Sequence, residues 1–223
     1  MAYAYSEMNN PTQEEGSGSG VTMNNGFYYV NVIPPIYPVY LRNADGTLAT
    51  SPYHAGYAYD YTTDVNGQTT NRLFGLGINP AGALRLDKQQ TKQHQVATTG
   101  SLEFKLYKGL KFTANVGMQY LGSRGNELTN KYYGDGAGTG YISTTQYNYL
   151  SLTANQLLEY NNTFAEHSIR ALAGHETNFY TVNYLYGAQK GIADNNVPEL
   201  NNAIVMNGVA GGAQTATLES YLA

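Results

Sequence analysis

Ser101-Leu102-Glu103-Phe104-Lys105-Leu106-Tyr107, then Lys108-Gly109, then Leu110-Lys111-Phe112-Thr113-Ala114-Asn115-Val116-Gly117-Met118-Gln119-Tyr120, alternates apolar and polar side chains on both sides of a two-residue break. Successive side chains of a strand point to opposite faces, so Leu102, Phe104 and Leu106 share one face. Leu110, Phe112, Ala114, Val116, Met118 and Tyr120 continue it across the turn. Glu103, Lys105, Lys111, Thr113, Asn115 and Gln119 take the other. One face suits hydrocarbon and the other water, the pattern of a hairpin in a membrane β-barrel.

Outward from this hairpin the same alternation returns. A strand is expected from Tyr147 to about Phe164, with Leu150, Leu152, Ala154, Leu158 and Tyr160 on one face. After a short reversal at Ala165-Glu166-His167, another runs from Ser168 to about Tyr186, with Ile169, Ala171 and Ala173 set against Arg170 and Glu176. Gln214 to Ala223 reads as a further strand, with Leu218 and Leu222 opposed to Thr217, Glu219 and Tyr221, and Ala2 to Ser6 alternates like the tail of another. Between the strands, short turns at one end contrast with Gly-, Asn- and Tyr-rich loops at the other, expected over Gly122 to Gln146 and Gly187 to Gly212. Outer-membrane barrels carry this asymmetry, with short turns in the periplasm and long loops outside. The fold class expected is all-β, an antiparallel up-and-down transmembrane barrel segment of about five strands with long extracellular loops. The alternation also fits a soluble antiparallel sandwich or a lipocalin-like barrel.

Composition narrows the function classes. The 223 residues include 22 Tyr, 6 Phe, no Trp and 25 Gly, and only 13% are charged, about half the usual fraction for soluble domains. Tyr buries its ring while its hydroxyl keeps a hydrogen bond, which suits bilayer interfaces and sugar-binding surfaces alike. A net charge of −4 without a basic cluster provides no footprint for nucleic acid. The absence of Cys removes disulfides, thiolate metal sites and Cys nucleophiles. No apolar run reaches the roughly 18 residues of a spanning helix, and Met1 to Ser6 lacks the pattern of an export signal.

The segment before the first hairpin is irregular. Asn9-Asn10-Pro11 and Gly16 to Gly20 read as a flexible polar stretch. Phe27 to Ile33 reads as a helical turn leading into an extended run broken by Pro34, Pro35 and Pro38. Asn43-Ala44-Asp45-Gly46 is a β-turn, since Asp-Gly supplies the positive φ of a tight reversal. Asn79-Pro80 marks another break.

Few residues suggest a site. His54, His94, His167 and His175 are far apart in sequence, and His175 and Glu176, adjacent on a strand, face opposite sides and cannot jointly grip one ion. Asp60, Asp64, Asn66 and Gly67 lack the ligand spacing and closing Glu of a calcium loop. Gly134-Asp135-Gly136-Ala137-Gly138 lacks the Lys-Ser/Thr and helix of a phosphate cradle, and no Ser sits in a nucleophile elbow. No enzymatic activity, cofactor or metal is expected. Tyr53, Tyr57, Tyr59 and Tyr61 are the candidate ligand-binding residues. In an extended segment all four fall on one side, where they could stack on sugar rings or pack against neighbouring loops.

Ile36-Tyr37-Pro38-Val39-Tyr40-Leu41 with Asp45-Gly46, Asn79-Pro80, Leu86-Asp87-Lys88, Lys108-Gly109-Leu110-Lys111-Phe112, Tyr132-Tyr133-Gly134-Asp135, Gly174-His175-Glu176 and Leu218-Glu219-Ser220-Tyr221 occur in an order and spacing that resemble the barrel of SusC-like TonB-dependent transporters of Bacteroidetes. The resemblance implies a plugged outer-membrane barrel of about 22 strands. It also implies a SusD-like lipoprotein partner closing the outer opening, energy supplied through TonB, and glycan or peptide cargo. The chain departs from the complete family pattern by having no plug domain, no TonB-contacting segment and no C-terminal aromatic strand end. Residues 1–223 are therefore expected to be a partial barrel domain in contact with outer-membrane lipids, unable to insert alone because an open sheet leaves its edges unpaired. The competing reading is a non-transporting surface binding protein or adhesin.

Overall fold

The computed structural model describes residues 1–9, 35–61 and 79–222. The readings of Phe27 to Ile33, Pro34, Gly16 to Gly20, Asp64, Asn66 and Gly67 lie outside them. Six strands, β1 (Ala2–Asn9), β2 (Lys88–Tyr107), β3 (Leu110–Thr129), β4 (Tyr141–Phe164), β5 (His167–Ile192) and β6 (Ala203–Leu222), form one sheet in sequence order, each antiparallel to the next. The architecture is the expected all-β, up-and-down one, with six strands among the described residues where about five were expected. The sheet is open: β1 and β6 are its edges.

Both short turns are where alternation breaks in the sequence. Tyr107 pairs with Leu110 around Lys108-Gly109, and Gly109 takes φ 78°. Phe164 pairs with His167 around Ala165-Glu166, and Ala165 takes φ 51°. At the opposite end the strands run further than alternation alone indicates. β3 continues through Gly122 to Thr129 and β4 starts at Tyr141, so their connection shrinks to residues 130–140. β5 reaches Ile192 and β6 starts at Ala203, leaving residues 193–202 between them.

The pairing register fixes which side chains share a face. Phe104, Phe112, Leu158 and Ala173 form one cross-strand row, and Thr98, Met118, Leu152, Phe179 and Thr217 another, on the same face. The intervening rows, such as Ser101, Asn115, Asn155, Glu176 and Ser220, occupy the other face. On that polar face Lys111 Nζ lies 3.1 Å from Glu159 and 3.7 Å from Glu103. The apolar face stays exposed, including Leu102, Phe104, Val116, Leu152 and Leu158. Among the described residues nothing seals these side chains into a dry core, which is compatible with a barrel segment.

In β6 the two groups face opposite sides as expected, with the apolar pair on the side that is polar in the other strands. Leu218 and Leu222 pair in register with Asn178 and Gly174 on the polar face, while Thr217, Glu219 and Tyr221 fall on the apolar one. There Tyr221 stacks on His175 at 4.7 Å, and His175 Nδ1 is 2.8 Å from Gln156 Oε1. His175 and Glu176 do face opposite sides.

The buried clusters sit beyond the hairpin half of the sheet. Leu128, Ile142, Ile192 and Ala203 pack together near the long-connection end, with Leu200 of a single 3₁₀ turn (Leu200–Asn202) against them. Asn79-Pro80, expected only as a break, opens a short helix α1 (Pro80–Leu86): Asn79 accepts from the Gly82 amide as N-cap, and Pro at the first turn needs no amide partner. Among the described residues no helix is long and apolar enough to cross a membrane.

Candidate functional site

The loops at the long-connection end assemble into one platform. Asp45-Gly46 reverses the chain as expected: Gly46 takes φ 85°, and Asp45 accepts from the amide and hydroxyl of Thr47. Those two bonds hold the Asp45 carboxyl below its ordinary pKa. The turn brings Leu48 opposite Arg42, and further bridges join Tyr40 to Tyr59 and Thr50 to Tyr57. Leu41, Ala49 and Ala58 fill the centre of this unit.

Tyr53, Tyr57, Tyr59 and Tyr61 gather here, but they do not line up on one face. Tyr53 and Tyr57 are 52% and 49% exposed, whereas Tyr59 and Tyr61 are 8% and 5% exposed. The reason lies between the first two: Gly56 at φ 101° and the Ser51 amide bonded to the Gly56 carbonyl reverse the chain, so no single extended segment carries all four. Tyr61 stacks flat on Tyr133 at 4.6 Å, and Tyr53 stacks on Tyr132 at 5.4 Å. Burial pushes the hydroxyl pKa of Tyr61 well above its usual value and raises that of Tyr133. Tyr59 and Tyr61 are therefore packing residues of the platform, and Tyr53 and Tyr57 remain half exposed on it.

A buried polar clasp, missed in the sequence, fastens the platform to the sheet. Asp87 Oδ1 accepts from both the backbone N and Nδ2 of Asn130 at 2.7 Å. Asn130 Oδ1 in turn accepts from the amides of Tyr132 and Tyr133 at 2.9 Å, which positions the two rings that meet Tyr53 and Tyr61. Asn195 donates to the Leu86 carbonyl and accepts from the Lys131 amide. Asn79 donates to the carbonyls of Val39 and Asp60. Four short polar side chains thus tie α1, both long connections and the residue 35–61 unit together. Asn-rich loops hint at such ties, but no local spacing reveals partners 19 to 109 positions apart.

The polar face of the sheet supplies the second candidate surface. Gly117 opens a shallow hollow of about 740 Å3 at mid-wall, bordered by Thr99, Ser101, Asn115, Gln119 and Thr153. Asn115 donates to Asn155 at 2.7 Å and Asn178 to Thr153 at 2.8 Å, so the amides form cross-strand ladders. Such a surface can both donate hydrogen bonds to a polar solute and accept them from it. Among the described residues no three His, Asp or Glu side chains converge as a metal site.

The chain matches no family model and no curated protein. Among solved structures it is similar to the RagAB peptide transporter, with a TM-score of 0.60 and 19% identity over 82% of this chain and 21% of that one. It is similar as well to the RagAB peptide importer in its closed-closed state (TM-score 0.61, 18% identity, 83% and 22% coverage) and its open-open state (TM-score 0.56, 20% identity, 76% and 19% coverage). The likeness is one of fold, and this chain spans about a fifth of the length of the proteins it resembles.

Proposed function

We propose that residues 1–223 form part of the barrel wall and outer loops of a SusC-like TonB-dependent outer-membrane transporter, which imports oligomeric nutrients with a SusD-like lipoprotein. The carrying observation is a two-faced sheet whose apolar side is exposed and whose two edges are open. From Leu106 up to Val96 the apolar face of β2 covers eleven residues, which at a tilt near 45° rise roughly 25 Å, the height of an outer-membrane barrel's apolar band. Aromatic residues mark both limits of that band on the same face: Phe104, Phe112, Tyr160 and Phe164 below, Tyr3 and Tyr120 above. Interfacial girdles of this kind flank the lipid-facing band of such barrels.

In this reading the polar face, rich in amides and hydroxyls and carrying the Lys111 ion pairs, lines the bore, the two-residue turns lie in the periplasm and the Tyr platform faces outward. The platform is then the natural meeting place for cargo and the lipoprotein. A pore wall needs no catalytic group, and the protein acts as a transporter and not as an enzyme. The similarity to a peptide importer supports oligomeric cargo without fixing its chemistry.

The Cys-free chain makes the orientation directly testable. With the intact protein carrying this segment in cells, Tyr53→Cys is expected to react with a membrane-impermeant maleimide, and Lys108→Cys only after the outer membrane is permeabilised. Equal reaction at both positions in intact cells, or the reverse order, would overturn the assignment.

A further inference from the structure

On the apolar face of the sheet, the upper aromatic limit is followed by polar and then by cationic side chains. Tyr3 and Tyr120 share one cross-strand row through Val96. Both hydroxyls point toward the long-connection end: Tyr3 Oη lies 2.8 Å from His94 Nδ1, and Tyr120 donates to Asn148 at 3.2 Å, each partner one row higher. In the next row Lys92 and Arg124 stand directly opposite each other, both exposed, with Gln146 opposite Arg124 on its other side. From the Val96 row down to the turns, the described strands carry no Lys or Arg on this face, and Glu219 at the β6 edge is its one charged residue.

Two features of the Lys92–Arg124 pair call for an anion. Like charges directly opposite on a sheet are destabilising, and the nearby carboxylates do not use up these donors. Glu199 takes Arg124 Nη2 at 3.1 Å, and Arg124 Nε reaches Asn126 at 3.4 Å. Lys92 faces Glu7 across β1 and acts on it through space, but forms no ion pair among the described residues. The Glu7 oxygens instead accept from Tyr5 at 2.6 Å, Gln90 at 2.8 Å and Asn9 at 3.5 Å. Lys88, two rows higher, is tied to the Asn196 carbonyl at 3.0 Å. The second feature is height. Lys92 lies four residues beyond Val96, roughly 13 Å of strand and roughly 9 Å along the membrane normal at a tilt near 45°. The headgroup layer extends roughly 5–8 Å beyond the hydrocarbon on each side, and the long stems of Lys and Arg cover the remaining distance.

We propose that Lys92 and Arg124, with Gln146 beside them, bind the phosphate of an outer-leaflet lipid headgroup whose acyl chains lie on the apolar face below, against Val116, Leu150 and Leu152. The inference rests on the barrel reading above, which turns this face toward lipid. Opposed residues of paired strands are roughly 5 Å apart at Cβ, so one phosphate can accept from both. Arg supplies a planar fork of donors and Lys a compact charge. The bound anion cancels the repulsion between the two cations, and the amides of Gln146 and Asn148 serve the remaining headgroup oxygens.

The test uses the intact outer-membrane protein in detergent, titrated with diphosphoryl lipid A, with the same lipid after removal of its phosphates, and with inorganic phosphate, bound lipid being counted by native mass spectrometry. The parent is expected to bind the phosphorylated lipid at least about tenfold more tightly than the dephosphorylated one, and inorganic phosphate at millimolar concentration should not displace it. Lys92→Gln and Arg124→Gln should each weaken binding about three- to tenfold, in line with roughly 1 kcal/mol per cation near an anionic surface. Lys105→Gln, on the polar face, should stay within twofold of the parent. Glu199→Gln releases Arg124 from its carboxylate and should strengthen binding about two- to threefold, a gain that a purely structural role for the Arg124–Glu199 contact does not produce.

Equal affinity of the parent for the two lipids overturns the site, and this comparison needs no variant to fold. Parental affinity in both Gln variants, or weaker binding in Glu199→Gln, overturns it as well. Displacement of the lipid by inorganic phosphate would mean a site for the free anion and would overturn the lipid assignment. The barrel reading fails separately, through the cysteine-labelling order. A correctly oriented protein that does not distinguish the two lipids therefore refutes the site and leaves the barrel reading intact.

Discussion

Ala165, in the two-residue turn between β4 and β5, is the one described non-Gly residue with positive φ, at 51°. The left-handed region costs an L-residue about 1–2 kcal/mol, partly offset for Gly by its greater freedom when unfolded. Ala165→Gly is expected to stabilise the hairpin by about 0.5–1 kcal/mol, measured by denaturant unfolding in detergent. The reverse change in the other turn should be costly: a Cβ on Gly109, at φ 78°, would meet the Asn161 carbonyl oxygen at 2.5 Å. Gly109→Ala is therefore expected to destabilise by more than about 2 kcal/mol.

Asn130, 2% exposed, is the hub of the clasp. Asn130→Ala leaves Asp87 with a lost partner in a buried site and frees the amides of Tyr132 and Tyr133, a local cost of about 1–3 kcal/mol. Hydrogen exchange at those two amides should accelerate while the β2–β3 ladder stays protected. Tyr61 gives the platform an alkaline limit. Its folded pKa is raised above the unfolded value near 10, so the unfolded chain loses its proton first as pH rises past 10. Its contribution is complete below that value and is lost above it. Absorbance of phenolate should appear for Tyr61 only together with loss of the platform, a coupling that Tyr61→Phe removes.

At the scale of elements, what alternation can reveal depends on whether the two faces meet different surroundings. β2 and β3 are legible around Leu102, Phe104, Phe112 and Val116 because one face is apolar and the other carries Glu103, Lys105, Lys111 and Asn115. Gly122 to Thr129 reads as loop because both faces there are polar: Arg124 and Asn126 fall on one side, Ser123 and Glu127 on the other. The backbone ladder continues regardless, since hydrogen bonding does not depend on side-chain contrast. The helix after Asn79-Pro80 was hidden by its length of seven residues and by Gly82, although its cap and Pro form a readable start. Glycine at 82 is required, because a Cβ would lie 2.5 Å from the Tyr61 hydroxyl oxygen. The exposed and buried halves of the Tyr53 to Tyr61 group were beyond reach, because Gly56 alone does not announce a reversal. The face assignment has its own test. Val116→Arg, on the apolar side, is expected to cost about 2–4 kcal/mol at mid-bilayer and to reduce the assembled outer-membrane population. Thr153→Arg, on the polar side one row away, should be tolerated within about 1 kcal/mol. Equal penalties would mean that both faces meet the same medium.

For the whole molecule the deciding features are the edges. Among the described residues strand β6 has no neighbour on its outer edge from Ala203 to Leu222, and β1 has none on its own, eight residues long. Water can satisfy those amides and carbonyls, but lipid cannot, and each unsatisfied group costs several kcal/mol there. Closing the sheet on itself is no remedy, since six strands fall short of the eight in the smallest membrane barrels. Polar groups on the apolar face at β6, including Glu219, add to the cost of meeting lipid at that edge. Residues 1–223 produced alone and mixed with outer-membrane lipid vesicles are thus expected to remain protease-sensitive and to migrate identically on gels with and without boiling. Supplying the rest of a barrel in the same chain should restore resistance and heat-shifted migration, because neighbouring strands then pair with Ala203–Leu222 and Ala2–Asn9. A heat-modifiable, protease-resistant product from residues 1–223 alone would require the edges to be paired by further copies of the chain, and crosslinking between β1 of one copy and β6 of the next would identify that arrangement.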